Sequence, residues 1–202
     1  MYRIRRILYF PLLIPAILCY LFLMKRDRKR LLRQDIHRYA EICDAKDIDH
    51  YFVYWYKYMV KLPEFRNVYY LRLGKIKHLI NFILPGRTNL YIPDNHGNVP
   101  IGGGLFIQHG WSTIIGTDAI GDNLWVSQNV TIGHRDSTGH PTIGNNVTIG
   151  SGAVVLGPIT IGDNVNIGAN AIVIKDVPSN TTVVSSSSHI CRCNGEKVYE
   201  QL

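Results

Sequence analysis

The second half of the chain carries a hydrophobic pattern that repeats every six residues. From Ile143 to Pro178, six consecutive units each open with an aliphatic residue and have Val, Ala or Ile four positions later. Two inward-pointing side chains per unit, with glycine or polar residues at the turns, predict a solenoid of short strands. An antiparallel β domain fits poorly, because hairpin turns would break the phase of the repeat.

The repeat continues upstream with one interruption. Ile120, Val126 and Ile132 keep the six-residue spacing, whereas eleven residues separate Ile132 from Ile143. This interval is one unit plus five extra residues, which predicts a loop that leaves the solenoid at that point.

The N-terminal half begins with a hydrophobic run. Eighteen residues without a charge extend from Ile7 to Met24, about 27 Å if helical, which is the lower limit for spanning a bilayer. Pro11 and Pro15 would kink such a helix. Basic residues flank the run, more densely on its C-terminal side, which predicts membrane association through residues 1–33 with the rest of the chain cytoplasmic, at the inner face of the membrane. The alternative is a helix that packs on protein.

Helical spacing follows this segment. Apolar residues recur at helical intervals between residues 32 and 43 and again between residues 64 and 84, before Pro85-Gly86 ends the pattern. We therefore expect short helices between the hydrophobic run and the solenoid.

Charge and cysteine content exclude some classes of function. Residues 1–90 hold 18 Lys and Arg against 7 Asp and Glu, whereas residues 91–202 hold 4 against 8. Most of the basic excess surrounds the hydrophobic run, which favours a membrane and not a nucleic acid as the partner. Four scattered cysteines, including Cys191 and Cys193, form neither a disulfide framework nor a zinc motif, so we expect free thiols.

Three short motifs lie in order along the solenoid half. They are Ile107-Gln108-His109-Gly110, Gln128-Asn129-Val130-Thr131-Ile132-Gly133 and His140-Pro141-Thr142-Ile143-Gly144. With the repeat, they make residues 90–184 resemble the hexapeptide-repeat acyltransferases, in the serine acetyltransferase branch that includes O-acetyltransferases of capsule and colanic acid synthesis.

The resemblance implies a mainly β fold. We expect a left-handed parallel β-helix, with three units per coil, preceded by short α-helices and a hydrophobic N-terminal helix. The corresponding divisions are a membrane-associating segment (1–34), a helical region (35–90), a β-helical catalytic domain (91–184) and a C-terminal tail (185–202). The family's usual homotrimer would place active sites between neighbouring subunits.

The resemblance also implies catalytic residues. His109 matches the general base, Asp94 matches the carboxylate that orients this base, and His140 matches the second histidine, which contacts the acceptor. An imidazole suits the removal of a proton from an acceptor hydroxyl, because it titrates near neutral pH.

The acceptor expected from the sequence is a sugar or a surface-polysaccharide intermediate. Relatives have Asp where this chain has Gln108, and an amide offers no charge to the ammonium group of L-serine. Trp111 could stack on a sugar ring. L-serine is the alternative acceptor, and a non-catalytic, membrane-tethered β-helical scaffold is the alternative class of function.

Acetyl-CoA is the co-substrate that the resemblance implies, without a metal. The segments expected to line its pantetheine arm contain small residues that let a ligand approach the backbone, and they are Gly150, Ser151, Gly152, Gly168, Ala169 and Asn170. Lys175 and Arg192 are candidates for a phosphate contact, because Ser185–Ser188 replaces the Gly-x-Pro-Ala-Arg/Lys end of relatives. His134 and His140 lack the His-x4-His spacing of β-helical carbonic anhydrases, so we expect no zinc site.

Overall fold

The computed structural model describes residues 2–45, 47–48, 50–92, 99–186, 189–193 and 196–201. Helices form its N-terminal part, and a parallel β-solenoid forms most of the remainder. The helical elements are α1 (Tyr2–Leu18), a π-helical turn (Cys19–Leu23), α2 (Arg26–Asp44), α3 (Tyr51–Lys61), α4 (Pro63–Leu73) and a 3-10 helix (Gly74–Leu79).

The solenoid strands form three parallel sheets, which are the three sides of each coil. The first sheet contains β1 (Leu90–Tyr91), β3 (Thr113–Ile115), β6 (Thr131–Gly133), β9 (Val154–Leu156) and β12 (Ile172–Val173). The second sheet contains β2 (Phe106–Ile107), β5 (Trp125–Val126), β8 (Thr148–Ile149), β11 (Asn166–Ile167) and β13 (Thr182–Val183). The third sheet contains β4 (Ala119–Ile120), β7 (Thr142–Ile143) and β10 (Thr160–Ile161).

Strand register confirms the six-residue repeat. Ile143 pairs with Ile161, eighteen residues later, so three units complete one coil. Ile132 pairs with Val155 at a spacing of twenty-three residues, which is one coil plus the five residues of the predicted loop. The opening aliphatic residues point inward and form a continuous buried core.

Side chains of the helical region cap the first coil. Arg72 on α4 and Asp35 on α2 form a buried ion pair, with 2.8 Å between Nε and Oδ2. Arg72 also donates to the carbonyl groups of Ile101 and Gly102, while Asp35 accepts the N–H of Leu105. These contacts satisfy backbone groups that an uncovered strand edge would leave unpaired.

The hydrophobic N-terminal segment packs on the chain's own helices along one side. Leu13, Ala16 and Cys19 are buried, and the Tyr69 hydroxyl donates to the Ala16 carbonyl at 2.6 Å. Pro11 and Pro15 both lie within α1. Among the described residues, none of the helices combines the length and the hydropathy that a membrane crossing requires.

The structure adds two details to the sequence-based division of the chain. Helix α2 passes residue 34 without a break, because Leu32 and Ile36 both pack in the helical core. The C-terminal tail contains an antiparallel hairpin, β14 (His189–Cys193) and β15 (Glu196–Gln201), that the sequence pattern did not predict.

Candidate active site

His109 lies on an enlarged corner between the second and first sheets, residues 108–112, which we call the His109 corner. Six residues lie between Ile107 and Ile114, whereas four lie between their paired residues Val126 and Thr131. His109, Gly110 and Ser112 all have positive φ angles, of 65°, 60° and 48°. Other corners of the solenoid have a positive φ at Asn, whereas here His109 and Ser112 both adopt it, which is less common for these residue types. His109 is exposed there.

The helical region contacts this corner through an arginine. The Arg87 guanidinium lies over the Trp111 ring, 4.1 Å from the ring centroid. Its Nη2 donates to Glu64 Oε2 at 3.0 Å, and the Glu64 side chain is buried. The Asn67 side chain bonds both the N–H and the carbonyl of Arg87. Trp111 is therefore held on one ring face, while 55% of the residue stays exposed.

The side-chain carbonyl oxygen of Gln108 accepts hydrogen bonds from other residues of the chain. Its Oε1 accepts from Trp125 Nε1 at 3.2 Å and from Ser127 Oγ at 3.3 Å. The amide NH₂ remains as the polar group that this side chain can offer to a ligand. Such a donor suits a hydroxyl or carboxylate oxygen and does not suit an ammonium group.

His140 lies at the other edge of the first sheet, with Asp118 and the loop from His134. We call residues 118 and 134–140 the His140 corner. His140 Nδ1 is 3.5 Å from Asp118 Oδ1, and the His134 and His140 rings are 5.4 Å apart in a T-shaped arrangement. Within the loop, hydrogen bonds from the Thr138 hydroxyl and N–H to Asp136 lower the pKa of that carboxyl group.

A cavity of about 500 Å³ adjoins the His140 corner. Asp118, His134 and His140 line one end, and Tyr91 and Ile114 on the outer face of the first sheet line the other. The cavity therefore includes the His140 corner and part of the outer face of the first sheet.

A single chain does not bring His109 and His140 together. The two corners are at opposite edges of the first sheet, which puts them roughly 15–20 Å apart at about 3.3 Å per residue. The sequence motifs predict both histidines in one site, and this geometry allows that only if different copies of the chain contribute them.

The residues predicted to line the pantetheine arm lie in later coils, at the same edge of the solenoid as His109. Corners 150–152 and 168–170 stack along the same solenoid edge, linked by the hydrogen bond from Asn170 N–H to the Ser151 carbonyl. Coil packing explains one of their glycines, because a Cβ on Gly150 would lie 2.7 Å from the backbone N of Ala169. Lys175 lies on the His140 edge, and Arg192 is exposed on β14.

Some residues fall outside these observations. Asp94, the predicted orienting carboxylate, lies outside the described residues. The sequence analysis did not predict Arg87, Glu64 or Asp118 as site residues. Of the three, only Asp118 stands at a recognisable position, a corner of the repeat where turn residues are common. In the described part of the chain, no cluster of three or more His, Cys, Asp or Glu residues is placed to hold a metal ion.

Comparisons with known proteins agree with the motifs. The family described as "Bacterial transferase hexapeptide (six repeats)" matches residues 140–175. A serine acetyltransferase from Synechococcus elongatus is 40% identical over 135 residues, which cover 65% of this chain and 54% of the relative. A serine acetyltransferase from Staphylococcus epidermidis is 38% identical over 138 residues, which cover 66% of this chain and 62% of the relative.

A solved structure extends the agreement to the fold. The crystal structure of Neisseria gonorrhoeae serine acetyltransferase in complex with serine has a TM-score of 0.62 and 25% identity, covering 80% of this chain and 68% of that chain. This chain spans between half and two thirds of the length of the two curated relatives above. The comparisons confirm the resemblance to hexapeptide-repeat acyltransferases of the serine acetyltransferase branch.

Proposed function

We propose that this protein is an acetyltransferase that moves an acetyl group from acetyl-CoA to a hydroxyl group, with His109 as the general base. The observation that carries the proposal is the His109 corner, where an exposed imidazole stands on an enlarged corner of an otherwise regular coil. The motif matches and the serine acetyltransferase relatives support it.

The proposed reaction proceeds in one complex of both substrates. His109 accepts the proton of the acceptor hydroxyl as its oxygen attacks the thioester carbonyl carbon. A C–O bond forms, the C–S bond breaks, and the thiolate of coenzyme A takes the proton from His109. Asp94 is the proposed orienting group for the imidazole. General-base catalysis contributes about 10²- to 10⁴-fold in rate.

We further propose that the active site is shared between subunits of a homotrimer, so that the His109 corner of one copy meets the His140 corner of the next. Outward-facing apolar residues on the first sheet support this assembly. Tyr91, Ile114 and Ile172 are exposed to 57%, 48% and 71%, and a symmetric oligomer would cover such a column of side chains.

L-serine is the first acceptor to test, because the relatives reported above are serine acetyltransferases. The sugar acceptor expected from the sequence is the second, and none of those relatives is named for it. Gln108 favours the sugar, since its oxygen already accepts two hydrogen bonds and its free NH₂ group cannot bind an ammonium group. Either reaction would take place on the cytoplasmic side of a membrane, which is the location proposed from the N-terminal segment.

The test is thiol release from acetyl-CoA with L-serine or with a panel of sugars and nucleotide sugars. We expect acceptor-dependent release that falls about 10²- to 10⁴-fold in His109→Ala. His78→Ala, which changes an exposed histidine on the 3-10 helix, is the matched control and should keep full activity. Release that survives His109→Ala would contradict the role of His109. Absence of release with every acceptor and of thermal stabilisation by acetyl-CoA would favour the scaffold.

A further inference from the structure

An exposed apolar surface covers one side of α1, the π-helical turn and α3. From residue 10 onward, Phe10, Ile14, Leu18 and Leu21 are exposed and recur every three or four residues, so they share one side of the helix, while Leu12 and Leu23 are exposed outside this row. Helix α3 lies alongside, because Tyr56 contacts Phe10 at one end and Phe52 lines a cleft with Leu21 at the other. This apolar face consists of Phe10, Ile14, Leu18, Leu21, Phe22, Phe52 and Val53.

Cationic side chains border the apolar face. Arg26, Arg30 and Arg33 are exposed at spacings of four and three residues, so they share one side of α2. In the part of the chain that the structure describes, the guanidinium groups of Arg30 and Arg33 form no hydrogen bond or ion pair. Lys29 joins this end of α2 to the turn, with Nζ bonded to the Leu21 carbonyl and placed over the Tyr20 ring.

Two neighbouring cavities lie where the exposed arginines of α2 meet the apolar face. A cavity of about 460 Å³ is lined by Arg30, Arg33 and Arg38, with Tyr51 at its wall. An apolar cleft of about 150 Å³, lined by Leu21 and Phe52 among others, has Tyr51 as a wall too. Glu41 lies in the cavity but pairs with Arg38 and His37. A cationic site and a hydrocarbon site therefore stand side by side, separated by one tyrosine.

We propose that this face binds the surface of a membrane that contains anionic phospholipids, with a lipid phosphate in the arginine cavity and part of an acyl chain in the apolar cleft. The proposal rests on the proposed membrane location and names the residues that provide it. Because Leu13 and Ala16 of α1 are buried in the helical core, the helix would lie in the plane of the interface and not cross it.

Charge favours a lipid over a second copy of the chain as the occupant. A two-fold contact through this face would bring the arginine rows of both copies together, and like charges repel. An anionic membrane surface instead attracts each nearby Lys or Arg, by about fivefold in binding per residue.

The test is co-sedimentation of the full chain with vesicles of phosphatidylcholine alone or with about one third phosphatidylglycerol. We expect the anionic vesicles to bind at least about tenfold more tightly. Phe22→Asp should weaken binding roughly tenfold, because it replaces an apolar side chain that would enter the bilayer. Arg30→Glu/Arg33→Glu should abolish the preference for phosphatidylglycerol.

Matched controls use the same changes elsewhere on the surface. Phe82→Asp alters a side chain that is 78% exposed, as Phe22 is, and Lys75→Glu/Lys197→Glu makes the same charge change. Both should bind as the unmodified chain does. Equal binding by the test and control variants would overturn this surface while leaving the membrane location intact, whereas no vesicle binding at all would contradict both. A change of oligomeric state in Phe22→Asp without vesicles would make the face a contact between copies and overturn the proposal.

Discussion

The β-solenoid and the helical region bury hydrophobic side chains in different ways. The solenoid core is an aliphatic ladder in which the same kind of residue returns at each coil. The helical core is dominated by aromatic rings, such as Tyr39 packed edge-on against Phe65 at 5.0 Å, and it contains the buried Asp35–Arg72 pair. The ladder makes a rigid scaffold from a short sequence code, whereas the helical core depends on particular pairs of side chains.

Both candidate corners are departures from the solenoid's regularity. The His109 corner has two more residues than the corresponding corner of the next coil. The His140 corner carries the loop with five extra residues. The regular coils hold these irregular segments at fixed positions, which is how a rigid scaffold can present reactive groups on loops.

The largest effect on stability is expected where the two regions meet. Arg72→Met would leave the Asp35 carboxylate buried without its cation, and breaking a buried pair in this way costs about 3–5 kcal/mol. Chemical denaturation would measure the change. Asp35→Leu/Arg72→Met should recover part of the loss, because no charge stays buried. An unchanged denaturation midpoint in Arg72→Met would show that the helical cap does not stabilise the first coil.

A medium loss of stability is expected from a substitution inside the solenoid. The Cβ of Gly150→Ala would lie 2.7 Å from the Ala169 backbone N, and such overpacking costs about 1–3 kcal/mol. Gly133→Ala is the control, since the nearest atom to its Cβ would be Leu156 Cδ2 at 3.9 Å. Thermal unfolding of both variants tests whether coil spacing requires Gly150. Equal melting temperatures would refute that requirement.

The smallest effect is expected on acceptor binding, at the place where the helical region contacts the His109 corner. Arg87→Met/Glu64→Gln removes the cation from the face of Trp111 without leaving a buried carboxylate unpaired, and a cation–π contact contributes about 0.5–1 kcal/mol at such sites. The KM for the acceptor should therefore rise by a few-fold while kcat stays within about twofold. Steady-state kinetics beside Trp111→Ala, for which a larger rise is expected, would check this. A large fall in kcat at constant KM would instead assign Arg87 to the chemical step.

The sequence pattern predicted the solenoid well, because its code is local. Ile143, Ile149 and Val155 each occupy the inward position that their spacing predicts, and the loop leaves the coil where the spacing lengthens. Periodicity carries no information on which helical side chains meet, so the Asp35–Arg72 cap and the Arg87–Trp111 contact were not predicted. The motifs gave His109 and His140 as one site, but they could not show that one chain holds these residues at opposite edges of a sheet.

The measurement that tests the shared active site most directly is complementation between two inactive variants. His109→Ala and His140→Ala would each be assayed alone and after unfolding and refolding as a mixture, with thiol release from acetyl-CoA as the readout. If each site takes His109 from one copy and His140 from the next, about one quarter of the sites in an equal mixture should hold both histidines. Recovery of activity to about that level is the predicted result. Activity of the mixture no higher than that of the separate variants would contradict the shared site.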